Sequence, residues 1–327
     1  MDANTKKRKG DNGEDYSLPD SFFNKLNTLS VDTLKTKDNR IFICKRDDKL
    51  VDVWKGLIKH NFHSVPVLLK TSDKYYGILS LHDISRYVLD FVGKEQLQSM
   101  EDFWKNLDRI DKLKNVTVND CMQSPLTREN PFKPVTQGYS LHFALEILAR
   151  ESGLHRIPVI TRDRKMANML TTSRIVQFFH ENKSMLGNRV AKPIHLLSSS
   201  SSGVISVRDT QNAVDAFALM QTNNITAVAV TDSHGKLAGV ISDTDLKTIS
   251  EDGSMFYRMH QDAKTFVKHI QQKVGGVVTA KPTETFGEVV DKLMSKKVHR
   301  VFVVNEHDKP TGLVSMKDII EDIILRS

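Results

Sequence analysis

Apolar positions along this chain form short runs and helical stripes that recur four times in one order. In the clearest copy, Val204-Ile-Ser-Val207 reads as a short strand. Ala213, Val214, Ala216, Phe217 and Met220 then recur at helical spacing across Gln211 to Thr222. Ala227-Val-Ala-Val230 is a continuous apolar strand, and Asp232-Ser-His-Gly235 is a turn in which glycine takes the awkward backbone angle. Leu237 to Ser242 is a further strand, and Asp243 to Ser250 opens a helix. The order is strand, helix, strand, strand, helix. A repeat of this period sets the architecture before any other reading.

The other copies follow the same order. The first has a helix over Leu50 to Lys59, strands over Val65 to Leu69 and Tyr75 to Ser80, and a helix over Leu81 to Phe91. The second has a helix from Ser140 to Glu151 and a strand at Arg156-Ile-Pro-Val-Ile160. The fourth has a helix over Thr285 to Ser295, strands at Val301 to Val304 and Thr311 to Ser315, and a closing helix from Met316 to Leu325. Strands apolar on both faces beside amphipathic helices predict an α/β (α+β) fold of small helix-covered sheets. The repeats fall at 30–93, 116–182, 204–250 and 264–327. Residues 1–20 read as a disordered basic tail, 94–115 as a connecting helix and 183–203 as a linker. The serine run Ser198 to Ser202 is low in complexity and suggests two halves, each a pair of repeats.

Each copy ends in one short motif. It reads Ser80-Leu-His-Asp83, Thr171-Thr-Ser-Arg174, Ser242-Asp-Thr-Asp245 and Ser315-Met-Lys-Asp318, so the second alone has a base where the others have an acid. Hydroxyl-x-x-acid at a strand end lies at the start of the next helix. There both side chains can cap free helix N–H groups. The same place suits a ligand: a carboxylate accepts strong hydrogen bonds, and helix N–H groups favour an anion. For a single copy capping is the simpler reading; four equivalent copies shift the set toward binding. Arg174 supplies no carboxylate to accept a hydrogen bond, so Thr171 and Arg174 mark a degenerate copy.

Composition narrows the picture. Apolar residues make up 39% of the 327 and charged residues 27%, enough to bury a core. There is no eighteen-residue apolar stretch and no apolar run near the N-terminus, so neither a membrane span nor a secretory signal is expected. Cys44 and Cys121 form no metal or redox spacing and fit a reducing compartment. The net charge of +7 is spread along the chain without interleaved aromatics, so nucleic acid is not an expected partner. The expected location is the cytoplasm; Lys6-Lys7-Arg8-Lys9 reads either as a nuclear import signal or as a solvated charge run. No P-loop, GxGxxG, HExxH or GxSxG occurs, so no enzyme is expected.

The four motifs, with the strand entries His63-Ser-Val-Pro-Val67, His155-Arg-Ile-Pro-Val159 and His299-Arg-Val-Phe-Val303, resemble the tandem cystathionine-β-synthase (CBS) domain family. Arg174 and the pairs His155-Arg156 and His299-Arg300 are most similar to the gamma subunits of AMP-activated protein kinase. His63 stands where those subunits carry arginine, Ser64 adds no base, and the third copy has Thr226 and Ala227. The resemblance implies repeats paired into two tandem modules forming a flat disc, and an energy-sensing regulatory protein that binds AMP, ADP or ATP. By the same resemblance Ser80, Asp83, Ser242, Asp245, Ser315 and Asp318 would hold ribose and phosphate. His63, His155, Arg156, His299 and Arg300 would contact phosphate, and a kinase catalytic subunit with its scaffold subunit would be the partners. Each base also has an edge ion pair or backbone-bonded imidazole as an alternative role. His82, His142 and His234 read as surface residues. Two other readings stay open: a scaffold with vestigial sites, and a sensor of another adenosyl ligand such as S-adenosylmethionine.

Overall fold

The computed structural model describes residues 14–34, 41–92, 111–124, 132–151, 153–197, 199, 203–246, 255–274 and 276–326. A helix α1 (Ser21–Thr28) precedes repeat 1, which runs β1 (Cys44–Lys45), α2 (Leu50–Lys59), β2 (Ser64–Leu68), β3 (Tyr75–Ser80) and α3 (Leu81–Val92). Two short helices follow, α4 (Asp111–Lys114) and α5 (Val118–Gln123). Repeat 2 is β4 (Val135–Thr136), α6 (Leu141–Arg150), β5 (Arg156–Ile160), β6 (Met166–Thr171) and α7 (Thr172–Glu181). Repeat 3 contributes β7 (Ser206–Arg208), α8 (Ala213–Thr222), β8 (Ala227–Thr231) and β9 (Leu237–Ser242), followed by helices α9 (Met255–Met259) and α10 (Ala263–Val274). Repeat 4 closes with β10 (Thr279–Ala280), α11 (Phe286–Ser295), β11 (Arg300–Val304), β12 (Pro310–Ser315) and α12 (Met316–Leu325).

Each repeat makes its own three-stranded sheet. The first strand lies parallel to the second, and the second and third form an antiparallel hairpin. All four hairpins carry a register shift at the turn-side end of the middle strand, between Val67/Leu68, Val159/Ile160, Val230/Thr231 and Val303/Val304. Where their residues are described, the expected strands and helices of the repeats are present to within a residue or two, because apolar runs bounded by turn residues leave little choice of backbone. Most of the helix expected from Asp243 to Ser250 lies outside the described residues.

The chain folds as two compact units, one holding repeats 1 and 3 and the other repeats 2 and 4 with the N-terminal segment. We call them the odd and even units. The odd core includes Trp54 and Leu57 of α2, Ile84 and Val88 of α3, Phe217 of α8 and Phe266 of α10. Phe217 and Phe266 meet edge to face at 5.9 Å. The even core includes Phe22 and Leu26 of α1, Leu145 and Leu148 of α6, Phe179 of α7, Phe286 of α11 and Ile320 of α12. The position of the serine run does not show this interleaving.

A lead-in segment starts the first long helix of every repeat. The first N–H of each helix donates to it: Leu50 to the Val116 carbonyl, Leu141 to Leu29, Ala213 to Gln261 and Phe286 to Lys192, at 2.7–2.9 Å. Segments that lie between repeats are thereby shared out. The N-terminal segment serves repeat 2, and the stretch after repeat 1 serves repeat 1. The stretch after repeat 2 serves repeat 4, and α10 adjoins the start of repeat 3. Helix N-termini have free donors, and these pairings satisfy one at each.

The connecting stretches are more ordered than expected where they are described. Leu18, inside the expected tail, is buried. Within the expected linker, Arg189 and Ile194 are buried, in 3-10 turns over Lys183–Ala191 and Ile194–Leu196. Arg189 donates to Asp322 Oδ2 at 2.8 Å, and Lys192 reaches Asp322 Oδ1 at 2.6 Å, pinning this segment to α12. Residues 1–13, most of 94–115 and Ser198 with 200–202 lie outside the described residues.

Candidate functional site

Hairpin register joins the two sets of residues that the sequence singles out. The hydroxyl residue that ends the third strand faces the residue that opens the second: Ser64 with Ser80, Arg156 with Thr171, Ala227 with Ser242 and Arg300 with Ser315. One position earlier, the carbonyls of His63, His155, Thr226 and His299 accept from Leu81, Thr172, Asp243 and Met316, at 2.9–3.1 Å. Each strand-entry residue is therefore tied by backbone to the motif of its own repeat. Because side chains alternate along a strand, a slip of one residue would separate them.

The motif closes on itself. The Ser80 N–H and hydroxyl both donate to Asp83 Oδ2, at 2.9 and 2.5 Å, and the Asp83 N–H returns to Ser80 Oγ at 3.2 Å. Ser315 and Asp318 repeat this at 2.7, 2.6 and 3.2 Å. In repeat 3 the Ser242 N–H and hydroxyl reach Asp245 Oδ2 at 2.7 and 3.1 Å, and the hydroxyl also pairs with Thr244 at 2.7 Å. In repeat 2 the Thr171 hydroxyl accepts from the Arg174 N–H, at 3.3 Å. The same capping box starts α5 through Thr117 and Asp120, and α11 through Thr285 and Glu288. Such caps contribute about 1 kcal/mol each. Capping fixes the carboxylate rotamer by one oxygen, so the group is oriented in advance. Asp83 and Asp245 are buried, and Asp318 is half-buried.

The residues between hydroxyl and acid reach across to the other repeat of the unit. His82 corrects the surface expectation: it is only 7% exposed, and its Nδ1 lies 3.8 Å from Asp243 Oδ2 of repeat 3. His142 is half-buried with Nδ1 3.0 Å from Asn27 Oδ1, and His234 is exposed. Lys317, the counterpart of His82 in repeat 4, donates to the Leu148 and Glu151 carbonyls at the end of α6 and pairs with Glu321 at 3.7 Å. Burial pushes the Lys317 ammonium down and the Glu321 carboxyl up, each opposed by the charge of the other. No sequence signal marked these contacts, since a spacer residue has no periodic role.

Arg174 extends the other way, its Nη1 donating to the Leu34 carbonyl at 3.4 Å. Both cysteines are buried, and burial with the nearby Asp48 charge pushes the Cys44 thiol up to about 12. Among the described residues, no cluster of three or more histidine, cysteine or acidic side chains has metal-holding geometry. No described helix is long and apolar enough to cross a membrane.

Among known families, the one described as CBS domain matches residues 36–90, 198–252 and 267–325, together more than half of the chain. Repeat 2 is not among the matched stretches, although its sheet has the same order and register as the rest. The protein named SDS23 of Eremothecium gossypii is 25% identical over 291 residues, 82% of this chain and 58% of that protein. The 5'-AMP-activated protein kinase subunit gamma-3 of Sus scrofa is 22% identical over 300 residues, 85% of this chain and 53% of that subunit. The chain thus spans a little over half the length of these relatives. A crystal structure of a Methanocaldococcus jannaschii protein, presented as a candidate archaeal homologue of the kinase gamma subunit, shares the fold. It aligns with a TM-score of 0.65 at 14% identity, over 90% of this chain and 99% of that one.

Proposed function

Because the chain belongs to the CBS domain family, we propose that it is a regulatory protein that binds adenine nucleotides, AMP, ADP or ATP. One observation carries this reading. In repeat 4 a pre-oriented carboxylate, Asp318, starts a helix in the same motif as Ser315, whose cross-strand partner is Arg300. A ribose offers two donors to the carboxylate, and a guanidinium offers a planar fork to phosphate. Asp83 and Asp245 play the ribose role in repeats 1 and 3. His63, His155, Arg156 and His299 are the further phosphate contacts. Repeat 2, with Arg174, holds no nucleoside in that pose.

Similarity to the pig kinase subunit supports a kinase catalytic subunit and its scaffold subunit as partners, in the cytoplasm and, through Lys6 to Lys9, the nucleus. The protein acts by binding and not by catalysis. Regulation requires that the nucleotide bind two states of the assembly with different affinity.

Calorimetry of the purified chain with AMP, ADP, ATP and S-adenosylmethionine tests the proposal. Micromolar binding of the phosphate ligands, lost on combining Asp245→Ala with Asp318→Ala, is the expected result. Preference for S-adenosylmethionine, unaffected by Arg300→Ala, would reassign the ligand. A second reading rests on the capping boxes at Thr117–Asp120 and Thr285–Glu288, where the same lock serves only to start a helix. On that reading the motifs are caps and the protein is a scaffold, and none of the four ligands binds.

A further inference from the structure

A cavity of about 550 Å³ opens in the even unit between the N-terminal segment and α7. Repeat 2 builds it with the residue that disqualifies its motif. In repeats 1, 3 and 4 the acid folds back on its serine; Arg174 instead points outward and lines this cavity. Lys25 of α1 adds a second positive charge, and Leu29, Leu34, Phe178 and Met185 supply apolar wall.

The charge balance favours an anion. Among the described residues the Lys25 ammonium makes no ion pair, and the Arg174 guanidinium makes one hydrogen bond, the long one to Leu34. The acid on the wall, Glu181, already accepts from the Gln177 amide at 2.7 Å. At the carbonyl end of α1, the Lys25 carbonyl accepts from Leu29 N–H and Thr28 Oγ1. The roof is fixed: Leu141 N–H holds the Leu29 carbonyl at 2.7 Å, and Val31 N–H holds Tyr139 at 2.9 Å. The volume lies within the ~300–1,000 Å³ of small-molecule sites.

We propose that this cavity binds a small amphipathic anion, its carboxylate or phosphate head on Lys25 and Arg174 and its apolar body against Phe178 and Met185. The site is separate from the acid-bearing motifs of repeats 1, 3 and 4 and does not depend on their assignment.

The test follows the Met185 methyl by NMR in the full chain carrying ¹³C-methyl methionine, titrated with octanoate, inorganic phosphate and neutral octanol. Octanoate is expected to move Met185 saturably, with phosphate about tenfold weaker because it lacks the buried methylenes. Lys25→Gln and Arg174→Gln should each weaken octanoate about tenfold. Lys25 is exposed, so that variant keeps the test valid if Arg174→Gln loosens the fold. Asp318→Ala should leave octanoate binding unchanged. The proposal is overturned if Met185 does not move, if octanol binds as tightly as octanoate, if Lys25→Gln has no effect, or if Asp318→Ala abolishes binding.

Discussion

The odd and even units share a fold but divide the chemistry unequally. The odd unit holds two motif carboxylates, Asp83 and Asp245, both buried, and at its strand entries only one base, His63. The even unit holds one carboxylate, the half-buried Asp318, and both His-Arg pairs. Repeat 4 alone combines an acid with a His-Arg pair. The two units also hold their repeats together differently. In the odd unit the described cross-repeat polar contacts include His82 near Asp243 and Arg86 with Asn224 and Gln221. In the even unit Asp322 is clamped between Arg189 and Lys192 in the buried core, and Lys317 caps α6. Identical topology thus leaves each pair free to trade candidate ligand-binding side chains against structural ones.

The largest expected effect breaks the even unit. Asp322→Ala leaves Arg189 and Lys192 charged and unpaired in a buried setting and should cost about 3–5 kcal/mol in urea unfolding. Hydrogen exchange should then rise in repeats 2 and 4 and stay unchanged in repeats 1 and 3. Equal loss in all four repeats would mean that the units unfold as one.

Nucleotide binding sharpens the contrast next. Hydrogen bonds to a charged group contribute roughly 1.5–3 kcal/mol. On the proposed reading, Asp318→Ala should therefore weaken AMP by about 10–100-fold in calorimetry. Asp83→Ala should weaken it less, since repeat 1 has a single base. The reverse order would show that burial of the carboxylate, and not the His-Arg pair, decides which repeat binds.

Gly239→Ala tests packing in the odd unit. A Cβ there would lie 2.4 Å from Val267 Cγ1 of α10, so the helix or the strand must shift. Overpacking of this kind costs about 1–3 kcal/mol, read as a lower urea midpoint. The smallest effect is at the α11 cap, where Thr285→Ala should cost about 1 kcal/mol. Hydrogen bonds from the Thr285 N–H and hydroxyl hold the exposed Glu288 carboxyl below its ordinary value. A lowered pKa in the folded state adds stability above the unfolded value and loses it as pH falls through the folded one. The wild-type advantage over Glu288→Ala should accordingly shrink below about pH 4.5.

Much of the fold was legible in the sequence. Leu50–Lys59, Tyr75–Ser80, Arg156–Ile160 and Met316–Leu325 stand where their apolar patterns put them, because each pattern is a local demand on one backbone. Helix α1 was missed. It has eight residues, of which two, Phe22 and Leu26, are buried, so its stripe is too short to stand out beside a polar tail. His82 was misread because one spacer residue carries no period; it is buried, with its Nδ1 3.8 Å from Asp243 of repeat 3, more than 150 residues away.

The sequence by itself determined the repeat, the order of its elements, the hydroxyl-x-x-acid motif and the loss of the acid at Arg174. All of these rest on periodicity and on chemistry within a few residues. Tertiary structure decided which repeats share a core, which lead-in segment starts which helix, and that the Arg174 side chain lines a cavity. The physical reason is that the apolar helix faces of the four repeats are alike. Their choice of partner is settled by contacts between distant segments, such as the Leu141 N–H on the Leu29 carbonyl, that no local pattern specifies.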